Sequence, residues 1–145
     1  MVDILTEIII NKPVEIVAAY AANPDNAPEW YVNIKGVEWK TPKPLTSGTM
    51  VEFITHFLGR KLIYTYVVTE FAENEKLVMR TATGPFPMET TYTWTGIDQN
   101  STRMTLRNRG NPTGFSKFFA PFMEIMMQKA NRNDLKRIRT ILESR

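Results

Sequence analysis

The chain has 145 residues, no cysteine, a single histidine, and 18 Lys/Arg against 15 Asp/Glu, a net charge of +3. That length suits one domain and is enough to bury a real hydrophobic core. The missing cysteines exclude a disulfide framework, a thiolate nucleophile and a zinc–cysteine centre, and one imidazole excludes any metal site that needs two. No metal and no cofactor are therefore expected.

The opening stretch MVDILTEIII carries Asp3 and Glu7 but no basic residue, so it does not read as a secretory signal. No apolar run approaches the roughly 20 residues needed to cross a bilayer. A cytoplasmic protein without membrane insertion is the expectation. Between Lys129 and Arg145 lie six basic and two acidic residues, which leaves the rest of the chain close to neutral. Basicity confined to a helix end suits the helix dipole and a solvated face. A nucleic-acid partner would require interleaved aromatics or a recognisable motif, and neither occurs.

Asp3 to Asn11 is β-branched and apolar and reads as a strand, broken by Lys12-Pro13. Pro13 to Ala22 is an alanine-rich helix with proline tolerated in its first turn. Asn23-Pro24-Asp25 ends it, and the Asp25 carboxylate is placed to cap a second short helix, Asp25 to Tyr31. From Ile34 the pattern alternates with period two. The predicted strands are Ile34–Lys40, Met50–Leu58, Lys61–Ala72, Lys76–Thr83, Met88–Gly96 and Arg103–Gly110. Their short links predict an antiparallel meander. Phe115 to Ser144 contains no glycine and repeats apolar residues at helical spacing. Its predicted stripe is Phe115, Phe118, Phe119, Phe122, Met126 and Ala130, continued by Leu135, Ile138, Ile141 and Leu142. Pro121 predicts a kink, or a main helix starting near Ala120. No repeat, linker or low-complexity segment divides residues 1–145.

Hairpin register follows from the turns. With Gly59-Arg60 as a two-residue loop, Phe57 pairs with Leu62 and Phe53 with Tyr66; with Asn74-Glu75 as the next, Tyr66, Val68 and Glu70 face Thr83, Thr81 and Met79. One face of the sheet then collects Phe53, Phe57, Tyr64, Tyr66, Val68, Met79, Met88, Tyr92, Trp94, Met104 and Leu106. Thr55, Thr81, Thr90, Glu70 and Asn108 lie among them. A dry core of this size favours Leu, Ile and Val. Large aromatics with scattered polar tips suit the lining of a small-molecule cavity, the alternative being a solid core with hydroxyls at its rim.

His56 falls on the opposite, outer face, which argues against a general base. Glu70 falls inward, where desolvation would raise its pKa and make it a candidate acid or base; the alternative is a group at the strand end, hydrated or paired to a neighbouring base. Tyr64, Tyr66 and Tyr92 carry hydroxyls able to orient a ligand carbonyl or phenol. Trp30 forms a wall of the cavity mouth or anchors its helix. Met123, Met126 and Met127 form an adaptable apolar surface or serve as ordinary packing. Gly59 and Gly84-Pro85 lack the spacing of a phosphate-binding loop.

The segments IIINKPVEIVAAYAANPDNAPEW and FAPFMEIMMQKANRNDLKRIRTILES resemble the START-like, or polyketide cyclase/dehydrase-like, superfamily (SRPBCC), which includes the birch-pollen-allergen fold. In that family an opening strand ends in Asn-Lys/Ala-Pro, a helix follows, and a Pro-x-Trp segment, here Pro28-Glu29-Trp30, closes the helical pair. The resemblance implies an α+β helix-grip: a strongly bent antiparallel sheet of about seven strands wrapped around a long C-terminal helix, with two short helices after the first strand. It also implies a cavity between sheet and helix.

The expected ligand is a small hydrophobic or aromatic molecule, lipid-like or polyketide-like. The expected binding residues are Trp30, Phe53, Tyr64, Tyr66, Met79, Tyr92, Trp94, Asn108, Phe118, Phe122 and Met126. A polyketide cyclase or dehydratase using Glu70 or a tyrosine is the alternative. A chaperone-associated or homodimeric interaction module is another, since one fold hosts many activities.

Overall fold

A computed structural model of the chain describes residues 2–57, 59–84, 87–111 and 120–145. Strand β1 (Val2–Ile10) lies where the β-branched run predicts a strand; it alternates buried and exposed side chains and ends on the fully buried Ile10. Helix α1 (Val14–Ala22) starts immediately after Pro13. Pro24–Asn26 then forms a 3-10 turn, followed by the single turn of α2 (Ala27–Trp30). The predicted cap moves by two residues: Asn23, not Asp25, accepts the backbone N–H of Asp25 at 3.0 Å. The Asp25 carboxylate is drawn away instead, to Lys43 Nζ at 2.7 Å and Trp39 Nε1 at 2.8 Å.

Six further strands follow: β2 (Ile34–Trp39), β3 (Met50–Phe57), β4 (Arg60–Ala72), β5 (Lys76–Thr83), β6 (Met88–Asp98) and β7 (Ser101–Gly110). All seven form one antiparallel sheet in the order β1-β7-β6-β5-β4-β3-β2. The meander thus runs from β2 at one edge to β7, and β1 closes the other edge by pairing with β7 from Val2↔Gly110 to Ile10↔Thr102. The segment carrying α1 and α2 crosses from one edge of the sheet to the other.

Two register predictions need correction, with opposite consequences. The β3–β4 pairs are Phe57↔Arg60 and Phe53↔Tyr64, displaced by two residues from the expected ones. Gly59, at φ +75°, takes the left-handed position of the turn, so Arg60 already belongs to β4. A displacement of two preserves parity, so Phe53, Tyr64 and Tyr66 remain on one face. The β4–β5 pairing instead contains shifts between Thr65 and Tyr66 and between Val68 and Glu70. Beyond Val68↔Met79 the next pairs are Glu70↔Val78 and Phe71↔Leu77, so β4 carries one extra residue. That bulge hands the inner face to Phe71, beside the buried Leu77.

Glu70 is consequently exposed, 3.3 Å from Lys76 Nζ across the hairpin. It is not the inward acid or base that a regular ladder predicts.

Helix α3 (Ala120–Glu143) lies against β1 and α2. Its phase is set by Leu135, Ile138 and Leu142, each at most 2% exposed in the core. Extended backwards with 3.6 residues per turn, their stripe passes through Asn131, Met127 and Met123. Phe122 is rotated out of it and is 51% exposed, against expectation. Residues Phe115, Phe118 and Phe119 lie outside the described ones.

The C-terminal half of α3 is fastened by polar contacts. Glu143 Oε2 accepts the Asn11 backbone N–H at 2.8 Å, and Arg137 Nε donates to the Glu29 carbonyl at 2.8 Å. The Arg145 guanidinium stacks over the Tyr20 ring, 5.1 Å from its centroid. Part of the C-terminal basicity therefore ties α3 to the preceding helices.

Candidate functional site

The inner face of the sheet brings together Phe53, Tyr64, Tyr66, Met79, Tyr92, Trp94 and Asn108, seven of the residues expected to bind ligand. Phe53, Tyr64, Met79, Tyr92, Trp94 and Asn108 are buried, and Tyr66 is half-buried. The ladder explains the grouping: Thr90↔Asn108, Tyr92↔Leu106 and Trp94↔Met104 project side by side from β6 and β7. The rings touch in sequence. Phe53 meets Tyr66 edge-on at 5.7 Å, Tyr66 lies 6.0 Å from Tyr64, and Tyr92 meets Trp94 at 6.1 Å.

From α2, the fully buried Trp30 lies 5.8 Å from the Tyr92 ring. Met126, on α3, is half-buried. Phe118 lies outside the described residues, and the exposed Phe122 is not brought to this face. His56 is exposed on the outer side, opposite Lys61.

Three further residues complete the site. Tyr31, just after α2, hydrogen-bonds its hydroxyl to that of Tyr92. Asp134 on α3 is 2% exposed, and its Oδ1 accepts the Val32 backbone N–H at 3.1 Å. Asn131, one helical turn earlier, is 6% exposed.

Both α3 residues sit in a stretch, NRNDLKR, that reads as a solvated charged face. Their signal was the spacing 127, 131, 134, 135, 138, 142, which places them on the inward stripe once its phase is taken from Leu135 and Ile138.

Burial governs the electrostatics. It pushes the Tyr64 hydroxyl up to about 12 and those of Tyr66 and Tyr92 higher still. Tyr31 is raised in the same way, and the neighbouring Tyr92 and the Asp134 carboxylate push further in that direction. These phenols are neutral at physiological pH and serve as hydrogen-bonding groups, not bases.

Asp134 is raised to about 6, because burial disfavours its charge more than the Val32 N–H and Arg137 favour it. A polar row therefore runs through an otherwise apolar interior, from Asp134 past Tyr31, Tyr92 and Tyr66. At its far end Thr90 donates to Asn108 Oδ1 at 2.8 Å.

At the rim, a recess of about 440 Å³ is lined by Arg80, Thr81, Met88, Glu89, Arg109 and Gly110 among others. Thr81 and Met88 belong to the inner face, Arg80 and Arg109 to the outer, so the recess lies where the two faces meet. Among the described residues no cluster of His, Cys, Asp and Glu has the arrangement of a metal site. No helix among them is long and apolar enough to cross a membrane.

A bent antiparallel sheet closed over a C-terminal helix, with aromatic hydroxyls on the enclosed face, defines a helix-grip domain. The chain belongs to the family described as polyketide cyclase / dehydrase and lipid transport, which it matches over residues 1–143. Solved structures share the fold across nearly the full chain. A START superfamily protein from Mycobacterium smegmatis is 13% identical, with a TM-score of 0.82 over 98% of this chain and 97% of that one. A protein from Thermus thermophilus is 16% identical, with a TM-score of 0.81 over 95% and 94%. The Zhui aromatase/cyclase from a Streptomyces species is 12% identical, with a TM-score of 0.82 over 97% and 93%. At these identities the likeness is one of fold. No curated protein matches the chain in sequence.

Proposed function

We propose that this protein binds a small apolar or aromatic molecule between the inner face of the sheet and α3. The observation that carries this reading is the row of phenols on the inner face, the buried Tyr64 and Tyr92 with the half-buried Tyr66 and Tyr31, in an interior where aliphatic side chains would pack at less cost. Apolar burial would supply affinity, and the hydroxyls would set orientation. Membership of a family described by cyclase, dehydrase and lipid transport activities supports the same class of ligand.

Native mass spectrometry of the purified protein tests the proposal, together with titration by the neutral fluorescent probe N-phenyl-1-naphthylamine. A retained small molecule, or saturable binding of one probe per chain, is the expected result. Neither being seen would remove the reading.

Asp134 favours a second reading, a cyclase or dehydratase-like enzyme. A buried carboxyl raised to about 6 beside a phenol pair has the proton affinity of a general acid or base near neutrality. In that scheme Asp134 takes the role first expected of Glu70. Binding would hold a flexible chain folded while the carboxyl moves a proton. Turnover of a ligand found with the protein, abolished in Asp134→Asn while binding persists, would establish it. Unchanged turnover would leave the protein a carrier.

A further inference from the structure

Between Glu29 and Asn33 the chain passes from α2 to β2 as a strap beside α3. Both ends of the strap are held. The Glu29 carboxylate accepts the Tyr20 hydroxyl at 2.6 Å, and the Glu29 carbonyl accepts the Arg137 Nε–H at 2.8 Å. At the other end the Asn33 carbonyl accepts the His56 backbone N–H at 2.8 Å. Two contacts tie the middle to the interior: the Val32 N–H donates to Asp134 Oδ1 at 3.1 Å, and the Tyr31 and Tyr92 hydroxyls share a hydrogen bond.

The residues of the strap differ in what it costs to move them. Trp30 is fully buried and anchors its start, whereas Val32 lies in a turn and is 44% exposed. The Val32 end can lift from α3 without uncovering apolar core, and lifting it admits water to Asp134.

Asp134 gives that motion its driving force. Its carboxyl is 2% exposed, and its hydrogen bond comes from a neutral backbone N–H. A buried carboxylate needs a countercharge or several donors. Arg137, one turn along α3, favours the charge but commits its Nε–H to the Glu29 carbonyl. The remaining neighbours supply no cation. The Glu29 carboxylate is turned to Tyr20, the Tyr31, Tyr92 and Tyr66 phenols are neutral, and the inner side chains of β1, Val2, Ile4, Thr6, Ile8 and Ile10, are uncharged.

We infer that the Tyr31–Val32 strap is a proton-controlled latch, closed on α3 while Asp134 is neutral and released at Val32 when Asp134 ionises, which opens the phenol row to water from this side. The latch operates whether or not a ligand occupies the interior. The neutral acid in the closed strap still accepts the Val32 N–H and costs little. The carboxylate is stabilised by water that only the lifted strap admits. With the pKa about 6 in the closed strap and the ordinary 3.8 in the lifted one, the lifted population grows as pH rises from about 4 to 6, then levels off. Between about pH 4 and 8 the gain is on the order of 50-fold.

Amide hydrogen exchange of the ¹⁵N-labelled protein reads the latch at the Val32 N–H itself, once the intrinsic exchange rate at each pH is divided out. The expected result is that 50-fold rise in opening, on the order given by the linkage, with little response to low urea because little surface is uncovered. The slowest amides of β6 and β7 should instead open with global unfolding and respond steeply to urea. Asp134→Asn, which keeps an acceptor for the Val32 N–H, should flatten the pH response. Tyr31→Phe, which removes the other tie, should raise opening at every pH and leave the pH response in place. Opening at Val32 that does not grow with pH, or grows equally in Asp134→Asn, would overturn the inference. Exchange of Val32 only at the rate and urea slope of the slowest strand amides would do the same, since the strap would then have no motion of its own. A pH response lost in Tyr31→Phe would assign it to the phenol pair and overturn the role given to Asp134.

Discussion

Asp134 supplies the sharpest test of how the interior is built. Its carboxyl is 2% exposed and its pKa is raised from 3.8 to about 6. The folded state therefore holds the proton more tightly than the unfolded chain. Below about pH 4 the group is protonated in both states and costs nothing. As pH rises from about 4 to 6 the unfolded chain releases its proton first, and stability falls. Above about pH 6 the full penalty applies.

With 1.36 kcal/mol per pKa unit, a rise of that size corresponds to a penalty on the order of 3 kcal/mol. Asn in its place keeps the shape and can still accept the Val32 N–H, and the help that N–H gives the charged carboxylate is already contained in the net rise. Asp134→Asn should therefore stabilise the protein at pH 8 by roughly 3 kcal/mol and make little difference at pH 4. Urea denaturation followed by circular dichroism reads this directly. With a slope of about 2 kcal/mol per molar urea, the midpoint should rise by about 1.5 M at pH 8. Comparing the two proteins at each pH cancels the other carboxylates, such as Asp3 and Asp25, whose ion pairs lower their pKa values and make them lose stability in acid. A variant less stable than the parent at pH 8, or a difference that does not shrink between pH 8 and 4, would refute the reasoning. If it holds, the chain retains a carboxylate that weakens its own fold, as expected of a group kept for function.

Other outcomes follow from particular contacts. Glu70→Gln should change stability by no more than about 0.5 kcal/mol in the same denaturation assay, because an exposed pair with Lys76 contributes little. Gly110→Ala should destabilise measurably in thermal unfolding: a Cβ there would lie 2.9 Å from the Pro87 carbonyl oxygen, which is backbone and yields only if β6 and β7 separate. Ile138→Ala should cost about 2–5 kcal/mol by urea unfolding, since the side chain is completely buried between α3 and the sheet. Asn23→Ala should cost about 1 kcal/mol through loss of the cap on Asp25 N–H, visible as a lower Tm with the strand signal in circular dichroism unchanged.

Much of the architecture was legible in residue order. A β-branched apolar run located the first strand and alternation of apolar and polar residues the other six, and Pro13, Gly59, Asn74 and Pro24 marked the places where backbone must turn. Those signals are local: a β-branched run favours a strand and a left-handed turn favours Gly or Asn whatever the chain does elsewhere. Face parity was also recoverable, because the two-residue slip at Gly59 leaves it unchanged, and Tyr64, Tyr66, Tyr92 and Trp94 share a surface as a result.

The bulge after Val68 was not legible. Nothing in Val-Thr-Glu-Phe distinguishes a regular ladder from one with an extra residue, and that one residue moves Glu70 from the interior to water. The Phe122 error has a related origin. A helix of this composition has more than one apolar stripe, and only the seating of Leu135, Ile138 and Leu142 in the core selects among them.

The sequence by itself determined the seven strands, the paired short helices, the long C-terminal helix and the shared face of aromatic residues. It also excluded thiol chemistry and any metal site that needs two imidazoles. Tertiary structure alone decided which polar groups are buried. Asp134 is inside because a backbone N–H from Val32, far away in the chain, meets its carboxylate, and Asn131 is inside because core packing fixes the rotation of α3. Burial depends on such distant partners, and burial turns an ordinary Asp and Asn into a carboxyl of raised pKa and a buried amide.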